Sequence, residues 1–314
     1  MSPSNYADFD KTIGLVCPTY NAGSMWIEWI SAVKSQSVRL KILIIDSGSS
    51  DNTVALAKDA GFEVKSISNK EFNHGSTRNL GADYFGDSVD ILVYLTQDAI
   101  LESTDSILTI VNYFQDSNIG AVCGRQLPRK GAKAIEAHAR IFNYPSASST
   151  KSKINIDEIG IKVAFMSNSF AAYQRSLFYD CGKFPDDTIF AEDMSLAARM
   201  ILKDYKVAYS ADATVYHSHN YTFTEEFKRY FDVGVFYSRE SWIKDRFGGA
   251  GGEGIKYAVS ELKYLIKIGK AYLLFYAIIR NILKFIAFKL GGIESHLPKG
   301  IKQRLSMNKS YWNR

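Results

Sequence analysis

Cysteine is scarce in this sequence of 314 residues. There are three, Cys17, Cys123 and Cys181, odd in number and far apart, with no Cys-x-x-Cys pair. That argues against a disulfide scaffold and against a cysteine zinc site, and it fits a reducing compartment. The first ten residues, MSPSNYADFD, carry Asp8 and Asp10 and no apolar core, so no secretory leader is expected. Long apolar runs are missing too. The longest uncharged one near the C-terminus, Ala271 to Ile279, is short of the roughly 20 residues that a membrane span requires. No Gly-x-Gly-x-x-Gly follows the first apolar run, and in the glycine-rich stretch 248–254 Ile255 stands where a P-loop would need lysine. Dinucleotide and ATP enzymes of those types are therefore not expected.

What is present describes an ordinary globular chain: 46% apolar and 23% charged residues, which excludes collagen-like and wholly disordered classes. The net charge of +5 hides a division. Residues 256–314 hold twelve Lys or Arg against Glu261 and Glu294, a local charge of +10, so the remainder sums to −5. Along the first 125 residues short apolar runs (12–17, 40–46, 62–67, 90–95 and 119–123) alternate with stretches of helical period (25–35, 53–60, 77–84 and 104–114). This alternation predicts an α/β fold whose mostly parallel sheet is covered by helices on both faces. Trp26 and Trp29 read as packing residues of the first helix. Farther on, 146–153 reads as a mobile loop, 192–205 as an amphipathic helix, 207–209 and 214–216 as short strands, and 248–254 as a linker before a helical tail over 256–290.

In an open parallel sheet, ligands bind beyond the carboxyl ends of the strands. Four successive strand ends here carry hydrogen-bonding residues: Pro18-Thr19-Tyr20-Asn21; Asp46-Ser47-Gly48-Ser49; Phe72-Asn73-His74-Gly75 with Arg78 and Asn79; and Thr96-Gln97-Asp98. Any one could be a turn or a cap. Together they predict a nucleotide or sugar cleft.

The runs CPTYNAG (17–23) and IIDSGSSDNT (44–53) resemble the family 2 glycosyltransferases of the GT-A fold, and FNHGSTRN (72–79) with LTQDA (95–99) resembles their bacterial rhamnosyltransferase branch. The resemblance spans about residues 12–220. It implies inverting transfer of L-rhamnose from dTDP-L-rhamnose to a polyprenyl-linked glycan of a bacterial surface polysaccharide such as O-antigen, with Mg²⁺ or Mn²⁺ as cofactor. Asp46 would accept from the base, Thr19 and Tyr20 would flank base and ribose, Arg78 would meet the diphosphate, and Asn73 and Asn79 would bond hydroxyls. Pro18, Asn21, Ser47, Gly48, His74, Gly75 and Gln97 complete the expected donor set. Relatives usually present Asp-x-Asp for the metal. Here Thr96 replaces the first acid, leaving Asp98, joined by His217 or, less favoured, His219. Two histidines at i and i+2 on a strand face one side. Asp193 is expected as general base, and Asn168, Ser169 and Glu192 as lining for the acceptor. A helix N-terminus attracts acids through its dipole, which is the bland reading of Glu192-Asp193.

The tail has Lys256, Lys263, Lys267 and Lys270 near one helical face, and Arg280 and Lys284 at i, i+4 among apolar residues. It predicts an interfacial helical region on the inner face of the cytoplasmic membrane, or a contact with another subunit. The expected division is a catalytic domain over 1–250 and this tail over 251–314. No motif supports a nucleic-acid partner. The competing readings are the same fold with a UDP-sugar donor and a non-catalytic glycan- or membrane-binding module.

Overall fold

The computed structural model describes residues 9–249 and 252–313. The leader expectation for residues 1–8, and Ala250 and Gly251 of the expected linker, lie outside them. One nine-stranded sheet organises the chain. Its strands are β1 (Ile13–Thr19), β2 (Lys41–Asp46), β3 (Glu63–Ser66), β4 (Ile91–Leu95), β5 (Ile100–Leu101), β6 (Ile119–Leu127), β7 (Ser149–Lys151), β8 (Phe170–Gln174) and β9 (Lys206–Tyr216). The helices are α1 (Trp26–Lys34), α2 (Thr53–Asp59), α3 (His74–Phe85), α4 (Ser106–Val111), α5 (Ala134–Asn143), α6 (Ile156–Ile159), α7 (Arg175–Asp180), α8 (Glu192–Leu202), α9 (Phe223–Arg239), α10 (Ser241–Phe247), α11 (Glu253–Lys267), α12 (Leu274–Gly292) and α13 (Lys299–Leu305).

The strand order is β3-β2-β1-β4-β8-β6-β9-β5, with β7 also on β9. The first four positions are parallel, as the apolar runs predict. β8 then runs antiparallel to both β4 and β6, which makes the sheet mixed. The sequence reading had no strand there, because FAAYQ is short and lies between irregular segments. Two further differences follow from pairing. The expected strands at 207–209 and 214–216 are one continuous strand, β9, held by β6 across two register shifts. Within the expected mobile loop, Ser149–Lys151 pairs with Val207–Tyr209 of β9.

The sheet buries both faces. Val16, Leu43, Ile45, Leu92 and Tyr94 point into one core with α3 and α8, and Leu15, Cys17, Ile44 and Val93 into the other with α1 and α4. Trp26 and Trp29 are fully buried and stack at 4.6 Å, as packing residues should. All three cysteines are buried and free.

The C-terminal helices pack onto this body. α9 and α12 cross backbone to backbone at Gly234 and Gly291, where a Cβ would stand 2.2 Å and 2.1 Å from the Phe288 and Phe231 carbonyl oxygens. Ala271–Gly292 is long and apolar enough by length and composition to cross a membrane, although the uncharged stretch ends at Ile279. The helix continues because Arg280 and Lys284 lie on its buried face. Arg280 pairs with Glu136 of α5 at 3.0 Å and with Glu226 of α9, and Lys284 pairs with Glu226 at 2.9 Å. Those two cations are therefore not the surface charges that the spacing suggested.

Candidate active site

Three parallel strand ends build one wall of the cleft. Asp46 ends β2, only 2% exposed. Its Oδ1 accepts from the Thr19 and Ser49 hydroxyls, and its Oδ2 from the Gly48 and Ser49 backbone N–H groups. A carboxylate offers about four lone-pair positions, and all are occupied here. In this conformation Asp46 shapes the 46–49 turn through these four bonds. Ser47 is bonded to the Thr19 carbonyl, and Asn21, in left-handed backbone at φ 44°, accepts from Ser50 N–H. Gln97 bonds both the N–H and the carbonyl of Tyr20, so it ties the β1 and β4 ends together and is not free for donor. Tyr20 itself is exposed, and so is Gly48. Pro18 lies within β1, beside Thr19.

The FNHGSTRN segment does something other than line the donor side. Asn73 caps α3 through Gly75 and Ser76 N–H. Asn79 exchanges two hydrogen bonds with the Phe184 backbone, at 2.8 and 3.1 Å. Gly75 passes so close to Pro185 that a Cβ would sit 1.8 Å from its carbonyl oxygen. These three clamp the loop 184–191, which delivers the two acids of α8. Arg78, 5% exposed, points its guanidinium at Glu192, 3.1 Å away, and at the His74 carbonyl. Its charge faces Glu192, and Glu192, 5% exposed, faces Arg78. Burial lowers the proton affinity of the His74 imidazole, which sits near the same pair.

Glu192 and Asp193 open α8 after Ala191, which is held in left-handed backbone at φ 56°. Asn168 joins them: its backbone N–H donates to Asp193 at 2.8 Å, its side-chain amide donates to Glu192 at 2.9 Å, and its carbonyl accepts from the Tyr173 hydroxyl at 2.8 Å. Asn168 is 3% exposed, so it orients the acids from behind, whereas Ser169 is half-buried. Two carboxylates on one turn diverge in proton affinity. Burial works against the Glu192 anion, but Arg78, His74 and Asn168 outweigh it and keep Glu192 below its usual range. Burial and the Glu192 charge push Asp193 up to about 7, against the pull of the Asn168 and Met194 N–H groups.

The third component comes from the far edge of the sheet. β5 pairs antiparallel with β9, Ile100 opposite Tyr216 and Leu101 opposite Val215. Continuing that register places Asp98 opposite Ser218, between the two histidines. His217 Nε2 lies 3.3 Å and His219 Nε2 3.6 Å from Asp98 Oδ2, and the ligand atoms of all three residues fall within 4.8 Å of one another. His217 Nδ1 is 2.7 Å from Gln126 Oε1, which makes it the N–H donor and turns the Nε2 lone pair toward Asp98. Burial lowers both imidazoles, His219 to about 3, so both are neutral ligand-type nitrogens at neutral pH. Burial would raise Asp98, but its neighbours His217, His219 and Thr96 hold it below its usual range. One carboxylate and two neutral imidazoles suit a small divalent cation, so both histidines fit a site where the sequence favoured only one.

Two residues at this site escape sequence reasoning. Arg129, on the loop after β6, donates to the Asp98 carbonyl and sits 4.0 Å from its carboxylate. Gln126, in β6, orients His217. Only the β6–β9 pairing, invisible in the sequence, brings them here. Trp29 adds support from below by donating to the Thr96 carbonyl at 3.0 Å.

A mixed sheet with polar strand ends, an Asp-His-His cluster and a buried carboxylate of raised proton affinity is the arrangement of a GT-A glycosyltransferase. The sequence model of the family "Glycosyl transferase family 2" matches residues 15–182, and the chain belongs to that family. It is 50% identical over 303 residues to the O-antigen chain rhamnosyltransferase RfbN of Salmonella typhimurium, covering 96% of each chain. It is 48% identical to the O-antigen chain rhamnosyltransferase WbaN of Salmonella anatum, covering 95% of each. Among solved structures, the mannosyltransferase PcManGT from Pyrobaculum calidifontis, in complex with GDP-Man and Mn²⁺, superposes with a TM-score of 0.64 at 14% identity, covering 94% of this chain and 92% of that one. TarS 1–349 of Staphylococcus aureus with UDP-GlcNAc gives 0.54 at 12% identity, covering 90% and 91%. Both share the fold.

Proposed function

We propose that this enzyme is a rhamnosyltransferase of O-antigen chain synthesis, moving L-rhamnose from dTDP-L-rhamnose to a polyprenyl-linked glycan. Identity to RfbN and WbaN over nearly the whole chain supports the sugar and the pathway step. The observation that carries the chemistry is the pair of acids on α8, one held ionised by Arg78 and the other raised to about 7.

Asp193 accepts the proton of the acceptor hydroxyl. Each of its oxygens already accepts one backbone N–H, which fixes the carboxylate while leaving lone pairs toward the cleft. The freed oxygen attacks the anomeric carbon, and the bond to the diphosphate breaks on the opposite side, its electron pair leaving with dTDP. A single displacement converts a β-L donor into an α-L-rhamnoside. Asp98, His217 and His219 would hold Mg²⁺ or Mn²⁺. A cation there would supply positive charge against the leaving diphosphate. Arg129, beside Asp98, adds a fixed positive charge on the same side. Tyr20, exposed at the β1 end, covers the nucleotide.

The C-terminal region, 251–314, docks on the inner face of the cytoplasmic membrane. Tyr272, Phe275, Ile282 and Phe285 are each more than half exposed, and Lys263, Lys267 and Lys270 are exposed as well. Exposed apolar side chains together with exposed lysines suit an anionic headgroup layer.

The test is a donor panel. Purified protein with Mn²⁺, lipid-linked acceptor extract and dTDP-, UDP- or GDP-sugars should release nucleoside diphosphate from dTDP-L-rhamnose alone. Release from a UDP-sugar instead would overturn the sugar assignment. No donor binding by calorimetry, for any of them, would favour a non-catalytic module.

A further inference from the structure

A groove of about 450 Å³ opens between α5 and α11, away from the strand ends. Ile141, Phe142 and Tyr264 give it apolar walls, and Lys263 and Lys267 stand at its rim. The two lysines are spaced i, i+4, an arrangement that costs a helix stability when the charges are alike. Among the described residues no carboxylate pairs with either.

The floor is His138, 2% exposed, with Ser260 beside it. His138 Nε2 lies 2.9 Å from Ser260 Oγ, and its Nδ1 is buried without a partner. Burial, helped by Lys284, drops this imidazole to about 4, so it is neutral and carries one N–H. If the hydroxyl donates to Nε2, the free donor is Nδ1–H. If Nε2–H donates to the hydroxyl, the free donor is the Ser260 O–H. Either way one donor remains beneath two unpaired cations, with a hydrocarbon-lined wall alongside. That combination suits an anion attached to an apolar chain.

Helix α5 connects this groove to the catalytic cleft. At its N-terminal end Lys133 N–H donates to Asn220, next to His219, and Glu136 pairs with Arg280, which reaches the Tyr221 carbonyl. Ten helical residues span only about 15 Å. A head group held in the groove therefore sits about one short helix from the His219 side of the catalytic cleft.

We infer that the α5–α11 groove binds the phosphate head group of the lipid-linked acceptor, with Lys263 and Lys267 on the phosphate and Ile141, Phe142 and Tyr264 along the first hydrocarbon units. This rests on the reading that the acceptor is lipid-linked. The test uses the full chain with farnesyl diphosphate as probe, set against inorganic pyrophosphate, farnesol and phosphatidylglycerol vesicles, in wild type and in the Lys263→Ala/Lys267→Ala double variant. Wild type should bind farnesyl diphosphate about ten-fold more tightly than pyrophosphate or farnesol. The double variant should lose about ten-fold, with dTDP binding unchanged. Equal probe binding by both proteins would overturn the proposal. Pyrophosphate matching the probe would make the groove a free-anion site, and vesicles displacing the probe equally from both proteins would make it general membrane surface. Either result also defeats the assignment. The probe measurement needs no turnover. A failed donor panel would thus sink the rhamnosyl reading alone, and unchanged probe binding would sink the groove alone.

Discussion

Asp193 and Glu192 are adjacent acids with opposite fates, and the difference lies in their neighbours. Arg78 neutralises Glu192, while the Glu192 charge and burial raise Asp193. The kcat for transfer should therefore rise with pH through a limb centred near 7. Asp193→Asn should remove that limb and lower kcat by about 10²–10⁴-fold, leaving donor affinity as it was. Stability gives a separate reading. A carboxylate whose folded pKa is raised destabilises the fold when ionised. The penalty is absent below its unfolded value and complete above about 7. Asp193→Asn should thus melt above wild type at pH 8, with the gap closing as pH falls toward 4. A variant that melts lower at pH 8 would mean that the carboxylate is not strained. The acid pair and Asp98 are legible in the sequence, because each follows a strand or opens a helix. Arg129 and Gln126 are not, since their position depends on pairing between residues 86 to 89 positions apart in sequence.

At the scale of elements, local pattern serves well where an element is buried on both faces. The parallel strands β1, β2 and β4 read as continuous apolar runs, and they fall where expected. It fails for β8, which is only five residues long, and for the tail, where charge does not mean exposure. Arg280 and Lys284 follow helical spacing, but their partners Glu136 and Glu226 come from α5 and α9. No reading of α12 alone could place them inside. Removing Glu226 would leave both cations buried without their shared acid. Glu226→Ala is expected to cost about 3–5 kcal/mol, measured by denaturant unfolding. A cost below about 1 kcal/mol would show that the cluster is solvated. The FNHGSTRN segment teaches the same lesson in reverse. Its polar residues look like ligands in sequence, but Asn73 and Asn79 hold backbone, and Asn308 from the C-terminal segment bonds the Ile189 carbonyl on the other side of that loop.

In the whole molecule, the proposed nucleotide site lies at the strand ends and the proposed membrane face on the C-terminal helices. The basic, apolar tail packs on the catalytic body through α5 and α9, and the exposed face of α12 lies outward. Tyr272, Phe275, Ile282 and Phe285, each more than half exposed, support its reading as an interaction surface. Tyr272→Ser with Phe275→Ser should abolish sedimentation with anionic vesicles while leaving donor binding intact. Retained sedimentation would contradict the membrane face, and loss of a dimer by light scattering would assign it to a second copy.

The central claim is a single displacement on dTDP-L-rhamnose with Asp193 as base, and the anomeric configuration of the product tests it most directly. Wild-type enzyme supplied with dTDP-β-L-rhamnose and lipid-linked acceptor should yield an α-L-rhamnoside, read from the one-bond carbon–hydrogen coupling at C1. A β-L-rhamnoside would contradict the account, because retention cannot come from one base and one in-line attack.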